Sequence, residues 1–216
     1  MYADRRDAGR QLAEALTDFR NEKDLLVLAL PRGGVPVARV VATAFDAELD
    51  LLIVRKLGVP GHSELAMGAI AAGGVEVLND DLIHDLEIDA DAIERVRKEE
   101  RAELERREVI YRESRPPPRL AGRCIILVDD GLATGATMRA GIQAVRAAKP
   151  SRLVVAIPVA PPEAIEDLAA EADTVVCPLQ PARFNAVGLW YTKFDQTSDD
   201  EVREILAHAW AREVTE

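Results

Sequence analysis

Two acids stand side by side, Asp129 and Asp130, at the end of the apolar run CIILV (124–128), and they open onto Gly131, Thr134, Gly135 and Thr137. A strand that passes through a glycine-threonine loop into a helix leaves backbone N–H groups unpaired at the helix N-terminus. The helix dipole there favours an anion, and the threonine hydroxyls add donors. A phosphate is the natural guest, yet two carboxylates would repel a bare phosphate. The pattern is consistent if the ligand is a sugar phosphate: the loop takes the phosphate, while the acids accept hydrogen bonds from vicinal hydroxyls or hold Mg²⁺. No Gly-Lys-Ser/Thr follows, so this is not a Walker loop, and the dinucleotide GxGxxG spacing is absent. A plain strand-to-helix turn would account for the glycines, but not for acids, glycines and threonines agreeing on one ligand.

Two other strand ends carry unusual chemistry. LLVLAL (25–30) runs into Pro31, Arg32, Gly33 and Gly34, and LDLLIV (49–54) runs into Arg55 and Lys56. The glycines let backbone approach an anion and the arginine supplies charge; the simpler reading of Arg55 and Lys56 is a solvated strand end. His62 and Glu64 lie in a glycine-bounded loop, LGVPGHSE, where they either act on a ligand or sit on a surface. His84 and His208 fall at surface helix positions and are assigned nothing.

These strand ends need a scaffold. Leu12, Leu16 and Phe19 at helical spacing predict a first helix over 4–20. Apolar strands at 25–30, 49–54, 124–128, 152–157 and 174–177 alternate with helical stretches, which is the signature of an α/β fold with a parallel sheet. In such sheets ligands bind at the carboxyl ends of strands. MGAIAA (67–72) and VEVL (75–78) flank Gly73-Gly74 as a hairpin. Residues 89–113 form a long charged helix, capped by Asp89 or Asp91, with a thin apolar stripe of Ile93, Val96, Leu104 and Tyr111, and RPPP (115–118) stops it. Its plain reading is a solvated, ion-paired helix; the functional ones are a dimer arm or a lid.

The 216 residues allow one sizeable domain, with 48% hydrophobic and 30% charged residues as in ordinary globular chains. A net charge of -11 argues against nucleic-acid or anionic-membrane partners. Cys124 and Cys177 sit in apolar runs and read as buried thiols in a reducing compartment. No apolar signal core opens the chain and no run is long enough to span a membrane, so a cytoplasmic location is expected.

VDDGLATGAT resembles the phosphoribosyl pyrophosphate (PRPP) motif of type I phosphoribosyltransferases, and ALPRGGVPVA resembles their pyrophosphate loop. The segment IVRKLGVPGHS is similar to the stretch after the next strand in orotate-type members. The layout, including GHSELAMGAI, looks like a bacterial subgroup without a settled substrate. The resemblance implies a single domain with a core over about 25–177 and a small hood from the terminal segments, chiefly about 178–198. It implies that Asp129 and Asp130 hold the ribose hydroxyls and, through water, Mg²⁺. Gly131, Leu132, Ala133, Thr134, Gly135, Ala136 and Thr137 would cradle the 5-phosphate. Pro31, Arg32, Gly33, Gly34, Arg55 and Lys56 would hold pyrophosphate, with a cis peptide at Pro31–Arg32 a feature of the family loop. Arg32, Lys56, Asp129 and Asp130 would carry catalysis.

The hood stretch ARFNAVGLWYTKFDQT (182–197) offers Phe184, Trp190 and Tyr191 as a stacking face for a nucleobase, unless these aromatics pack the terminal helix. Phe184, Val187 and Gly188 match the start of a purine-type pattern, but its Asp and Lys are not evident, so the base is left open. The implied activity is phosphoribosyl transfer from PRPP to a nitrogenous base with release of pyrophosphate. The alternative is a regulator that binds PRPP or a nucleotide without turnover.

Overall fold

The computed structural model describes residues 1–113 and 115–213, with the side chains at 63, 64, 212 and 213 excepted. The role considered for Glu64 therefore lies outside the described residues. In chain order the elements are α1 (Arg5–Ala15), β1 (Leu25–Ala29), α2 (Gly34–Phe45), β2 (Glu48–Leu51), β3 (Val54–Val59), β4 (His62–Ala71), β5 (Val75–Leu78), α3 (Asp80–Asp85) and α4 (Ala90–Arg112). Then follow β6 (Cys124–Val128), α5 (Ala136–Ala147), β7 (Arg152–Ala156), α6 (Pro162–Ala169), β8 (Thr174–Val176) and α7 (Asp199–Glu213).

Five strands make a parallel sheet in the order β2-β1-β6-β7-β8. β1 and β6 are buried throughout because helices cover both sheet faces. Val27, Ile126 and Val154 belong to a core shared with α1, α2 and α7; Leu26, Ile125, Leu153 and Val155 turn the other way, toward α5 and Leu168 of α6. This period-two division is what fully buried strands require. β1 and β6 are neighbours, with Ala29 opposite Val128. That pairing sets the loop after β1 directly beside the loop after β6.

Several expectations change. The helix expected over 4–20 ends at Ala15, and Thr17–Phe19 form a 3₁₀ turn that buries Phe19. The strand expected over 49–54 ends at Leu51, and Val54 starts a separate antiparallel sheet, β3-β4-β5. LGVPGHSE is not a loop: β3 and β4 pair across it, with Val59 opposite His62 and Gly61 at φ 80° in the two-residue turn. Polar residues on a half-buried strand hid this hairpin. The Gly73-Gly74 turn forms as expected, both glycines left-handed. α3 is an addition, capped by the Asn79 side chain, which accepts from the Leu82 N–H at 3.1 Å.

Asp89 caps α4, accepting from the Ala92 N–H at 2.7 Å. α4 is more than a solvated helix: Leu104 and Tyr111 are buried in the core, and the helix packs on β3 and α7. Its outer face carries ion pairs such as Arg106–Glu103 at 2.7 Å. Among the described residues no helix is long and apolar enough to cross a membrane.

Candidate functional site

The site is built where β1 and β6 end. Leu30 donates its N–H to the Val128 carbonyl at 2.9 Å, which extends the pairing one step past the strands. The chain then turns through Pro31 and Arg32, joined by a cis peptide bond, and enters α2 at Gly34. A Cβ at Gly33 would lie 2.0 Å from Asp130 Oδ2, and one at Gly34 would lie 2.7 Å from the Val128 carbonyl oxygen. Both glycines are therefore needed for close approach, since the loop after β1 rests on the acids after β6.

Asp129 Oδ1 accepts the Asp130 N–H at 2.8 Å. Asp130 Oδ2 accepts from Arg5 Nε at 2.8 Å. The two carboxyls also lie within hydrogen-bonding reach of each other. Burial pushes both carboxyls above the ordinary carboxylate range. The neighbouring Asp130 charge pushes Asp129 further up, while Arg5 pulls Asp130 back.

Beyond the acids, Gly131 and Leu132 are buried, and Leu132 donates to the Val159 carbonyl at 3.0 Å. Gly131 makes room for the hood, because a Cβ there would meet Val187 Cγ1 at 2.3 Å. Ala133, Thr134 and Thr137 are exposed, and Gly135 adopts φ 74° at the start of α5. No side chain caps the first-turn N–H groups of α5, an arrangement that suits an anion.

A cavity of about 400 Å³ lies alongside, lined by Pro31, Arg55, Lys56, Glu100, Arg107 and Thr137 among others. Arg55 Nε is held by Glu100 Oε2 at 2.6 Å. Arg32 points elsewhere, into a neighbouring cavity of about 520 Å³, where it lies 3.6 Å from Asp199. Asp199 also accepts from the Tyr111 hydroxyl at 2.5 Å. His62 is exposed at the hairpin tip and lines neither cavity.

The hood is stitched from both ends of the chain. Tyr2 N–H donates to the Trp190 carbonyl and Thr192 N–H to the Tyr2 carbonyl, both at 2.8 Å. Tyr2, Phe184, Val187, Trp190, Tyr191 and Phe194 cluster around Val159. Tyr191 is 6% exposed, its ring lies against Tyr2 and Phe194, and its hydroxyl donates to the Asp130 carbonyl. It braces the acids, and it offers no open face for stacking. Phe184 and Trp190 are half-buried.

Reading the sequence missed Arg5, Phe194 and Arg107. Arg5 and Arg107 reach the site from distant helices and carried no local signal.

Among the described residues no three His, Cys, Asp or Glu side chains converge on a metal cage. Asp129 and Asp130 nonetheless suit Mg²⁺, which takes one or two carboxylates and completes its shell with water and ligand phosphates.

A parallel sheet with an acid pair, a glycine-rich loop and a helix N-terminus at its carboxyl edge is the type I phosphoribosyltransferase architecture. A family model described as the phosphoribosyl transferase domain matches residues 61–190, and the chain belongs to this family. It is similar to TT1426 from Thermus thermophilus at 44% identity and a TM-score of 0.90, over 96% of this chain and 98% of that one. AQ2163 from Aquifex aeolicus shares the fold, with a TM-score of 0.51 at 13% identity over 92% and 82% of the two chains. The Mycobacterium tuberculosis protein named "Putative phosphoribosyl transferase Rv0571c" is 48% identical over 209 residues, 97% of this chain and 47% of that protein. The chain thus spans about half the length of the curated relatives it matches. The family match starts at residue 61, so Arg5, the Pro31–Gly34 loop, Arg55 and Lys56 stand outside it.

Proposed function

We propose that the chain transfers a 5-phosphoribosyl group from PRPP to a nitrogenous base and releases pyrophosphate. The observation behind this is the contact of Gly33 and Gly34 with Asp129 and Asp130, beside the uncapped start of α5 and the cavity bearing Arg55 and Lys56. Gly131–Thr137 take the 5-phosphate on backbone N–H groups and threonine hydroxyls. Asp129 and Asp130 each turn one oxygen to a ribose hydroxyl. Pro31–Gly34 backbone, Lys56 and Arg55 bind the pyrophosphate, with Arg32 joining once it leaves Asp199.

The C1–oxygen bond to pyrophosphate breaks with its electron pair going to the leaving oxygen, and the acceptor nitrogen forms the new bond to C1. Positive charge gathers on the ribose, so catalysis rests on positioning and on cations around the departing anion. Mg²⁺, when bound, neutralises pyrophosphate charge, and Asp129 and Asp130 would hold it through water. The acceptor lies under the hood beside Phe184 and Trp190, with Tyr191 supporting Asp130. A cytoplasmic setting is part of this reading, in line with Cys124 and Cys177 as free thiols.

The test is calorimetric titration with PRPP, with and without Mg²⁺, beside an Asp129→Asn/Asp130→Asn variant. Saturable, Mg²⁺-dependent binding that the variant loses is expected. A folded wild-type protein that takes up no PRPP would sink the proposal. Pyrophosphate release in a screen of nucleobases identifies the transferase; binding with no release from any base identifies a regulator.

A further inference from the structure

We infer that Arg5 is a positioning residue, which sets Asp130 for the ribose and fixes the hood above it. The inference rests on the proposed function. Arg5 has one planar fork and spends it on two bodies. Nε donates to Asp130 Oδ2 at 2.8 Å on the core side, and Nη1 donates to the Asp195 carbonyl at 2.6 Å on the hood side. The guanidinium also lies 4.0 Å over the Phe194 ring. Both ends of the ion pair are largely withdrawn from solvent, at 12% and 15% side-chain exposure, so water screens it little.

The backbone behind Arg5 is fixed as well. The Tyr2 hydroxyl donates to the Pro158 carbonyl at 2.7 Å, Lys193 N–H donates to the Ala3 carbonyl at 3.0 Å, and Asp4 caps α1 through the Asp7 N–H at 2.8 Å. Arg5 therefore reaches Asp130 from a fixed base. Asp130 Oδ2 is taken by Arg5 and the carboxyl packs close to Gly33, so in this role Oδ1 is the oxygen left for a ribose hydroxyl. The same contact keeps Phe194 and Asp195 in register with that hydroxyl. Among the described residues no other cation pairs with either acid.

This role separates the two halves of the ligand. Arg5 touches the ribose acid, and it does not line the cavity of Arg55 and Lys56. Ribose 5-phosphate and pyrophosphate, titrated separately in Mg²⁺ into wild type, Arg5→Ala and Arg5→Lys, therefore read different things. Arg5→Ala is expected to lose about tenfold in affinity for ribose 5-phosphate, as for one well-aligned charge-assisted hydrogen bond. Its affinity for pyrophosphate should be unchanged. Arg5→Lys keeps the charge without the fork and should fall between. Equal losses for both ligands would make Arg5 a merely structural residue. Unchanged or tighter ribose 5-phosphate binding would overturn the inference too, the latter making Arg5 a plug. Should Arg5→Ala fail to fold, Arg5→Lys carries the test, its loss confined to ribose 5-phosphate. A wild-type protein that binds neither ligand removes the proposed function, and this role with it.

Discussion

Two of the acid–arginine pairs on this sheet, Asp50–Arg112 and Asp130–Arg5, differ in how far they are sealed. Asp50 of β2 is fully buried, and Arg112, the last residue of α4, meets its Oδ1 at 2.8 Å with 3% of its side chain exposed. Arg112 also donates to the Leu51 carbonyl at 2.6 Å. Asp50 Oδ2 and Arg112 Nε and Nη1 are buried without a hydrogen bond, and burial raises the Asp50 carboxyl although Arg112 opposes the rise. The Asp130–Arg5 pair has similar geometry, but it lies at the carboxyl end of the central strand β6 and is less completely sealed, at 12% and 15% side-chain exposure. Pairing alone does not distinguish scaffold from site. The sealed pair fastens α4 to the sheet, and the less sealed pair stands where the proposed ligand would bind.

Substitutions can break this contrast. The largest effect is expected from Arg112→Ala, which leaves the buried Asp50 carboxylate only the longer contact with Arg115 at 3.9 Å and should cost about 3–5 kcal/mol in urea unfolding. The loss should shrink as pH falls. Without Arg112 the folded-state pKa of Asp50 rises further above its unfolded value, so the neutral acid supports the fold at low pH and that support is lost as pH climbs through the raised value. An Asp50→Leu/Arg112→Met double variant should recover most of the stability. A pH-independent loss would mean that the missing packing of Arg112, and not the stranded charge, sets the cost.

The paired glycines sharpen the same point at smaller size. At Gly34 an added methyl meets the Val128 carbonyl and, at 3.0 Å, Asp129 Cα, which are backbone and cannot yield. Gly34→Ala should therefore destabilise by about 1–3 kcal/mol. At Gly33 the obstacle is the Asp130 carboxylate, a side chain that can shift only by giving up its bond to Arg5. Gly33→Ala should cost about 1.5 kcal/mol, the bond between Asp130 and Arg5, and lower ribose 5-phosphate affinity at least about tenfold. Unchanged ribose 5-phosphate affinity in Gly33→Ala would erase the distinction. Smallest of all, Tyr191→Phe removes the hydroxyl under Asp130 and should cost about 1 kcal/mol, seen as a modest midpoint shift.

The sheet and the acid-glycine-threonine loop were legible because their signals are local: unbroken apolar runs mark buried strands, and residue types fix the loop chemistry. The cis Pro31–Arg32 peptide is present as the family resemblance implied. Arg5 was illegible because its partner lies across the sheet and a lone arginine near a helix start suggests only solvent. The β3–β4 hairpin was masked by Arg55, Lys56 and Gly58, which weaken the alternation that marks a strand. Aromatic type alone could not tell that Tyr191 would spend its hydroxyl on the Asp130 backbone. Nor could it tell that Arg32 would face α7 while Lys56 faces the other cavity, since that choice is one of rotamer and tertiary contact.

The pairing of Ala29 with Val128 makes the site a reporter of folding order. Its two loops are remote along the chain and become neighbours only when β1 and β6 zip in correct register. A slip of one residue would turn the strand faces over and carry Gly33 away from Asp130. Closing so long a connection is slow compared with forming local helices. A refolding chain should thus regain helical signal first and ligand uptake last, and a kinetically trapped, mis-registered sheet would look folded to circular dichroism while remaining blind to sugar phosphate.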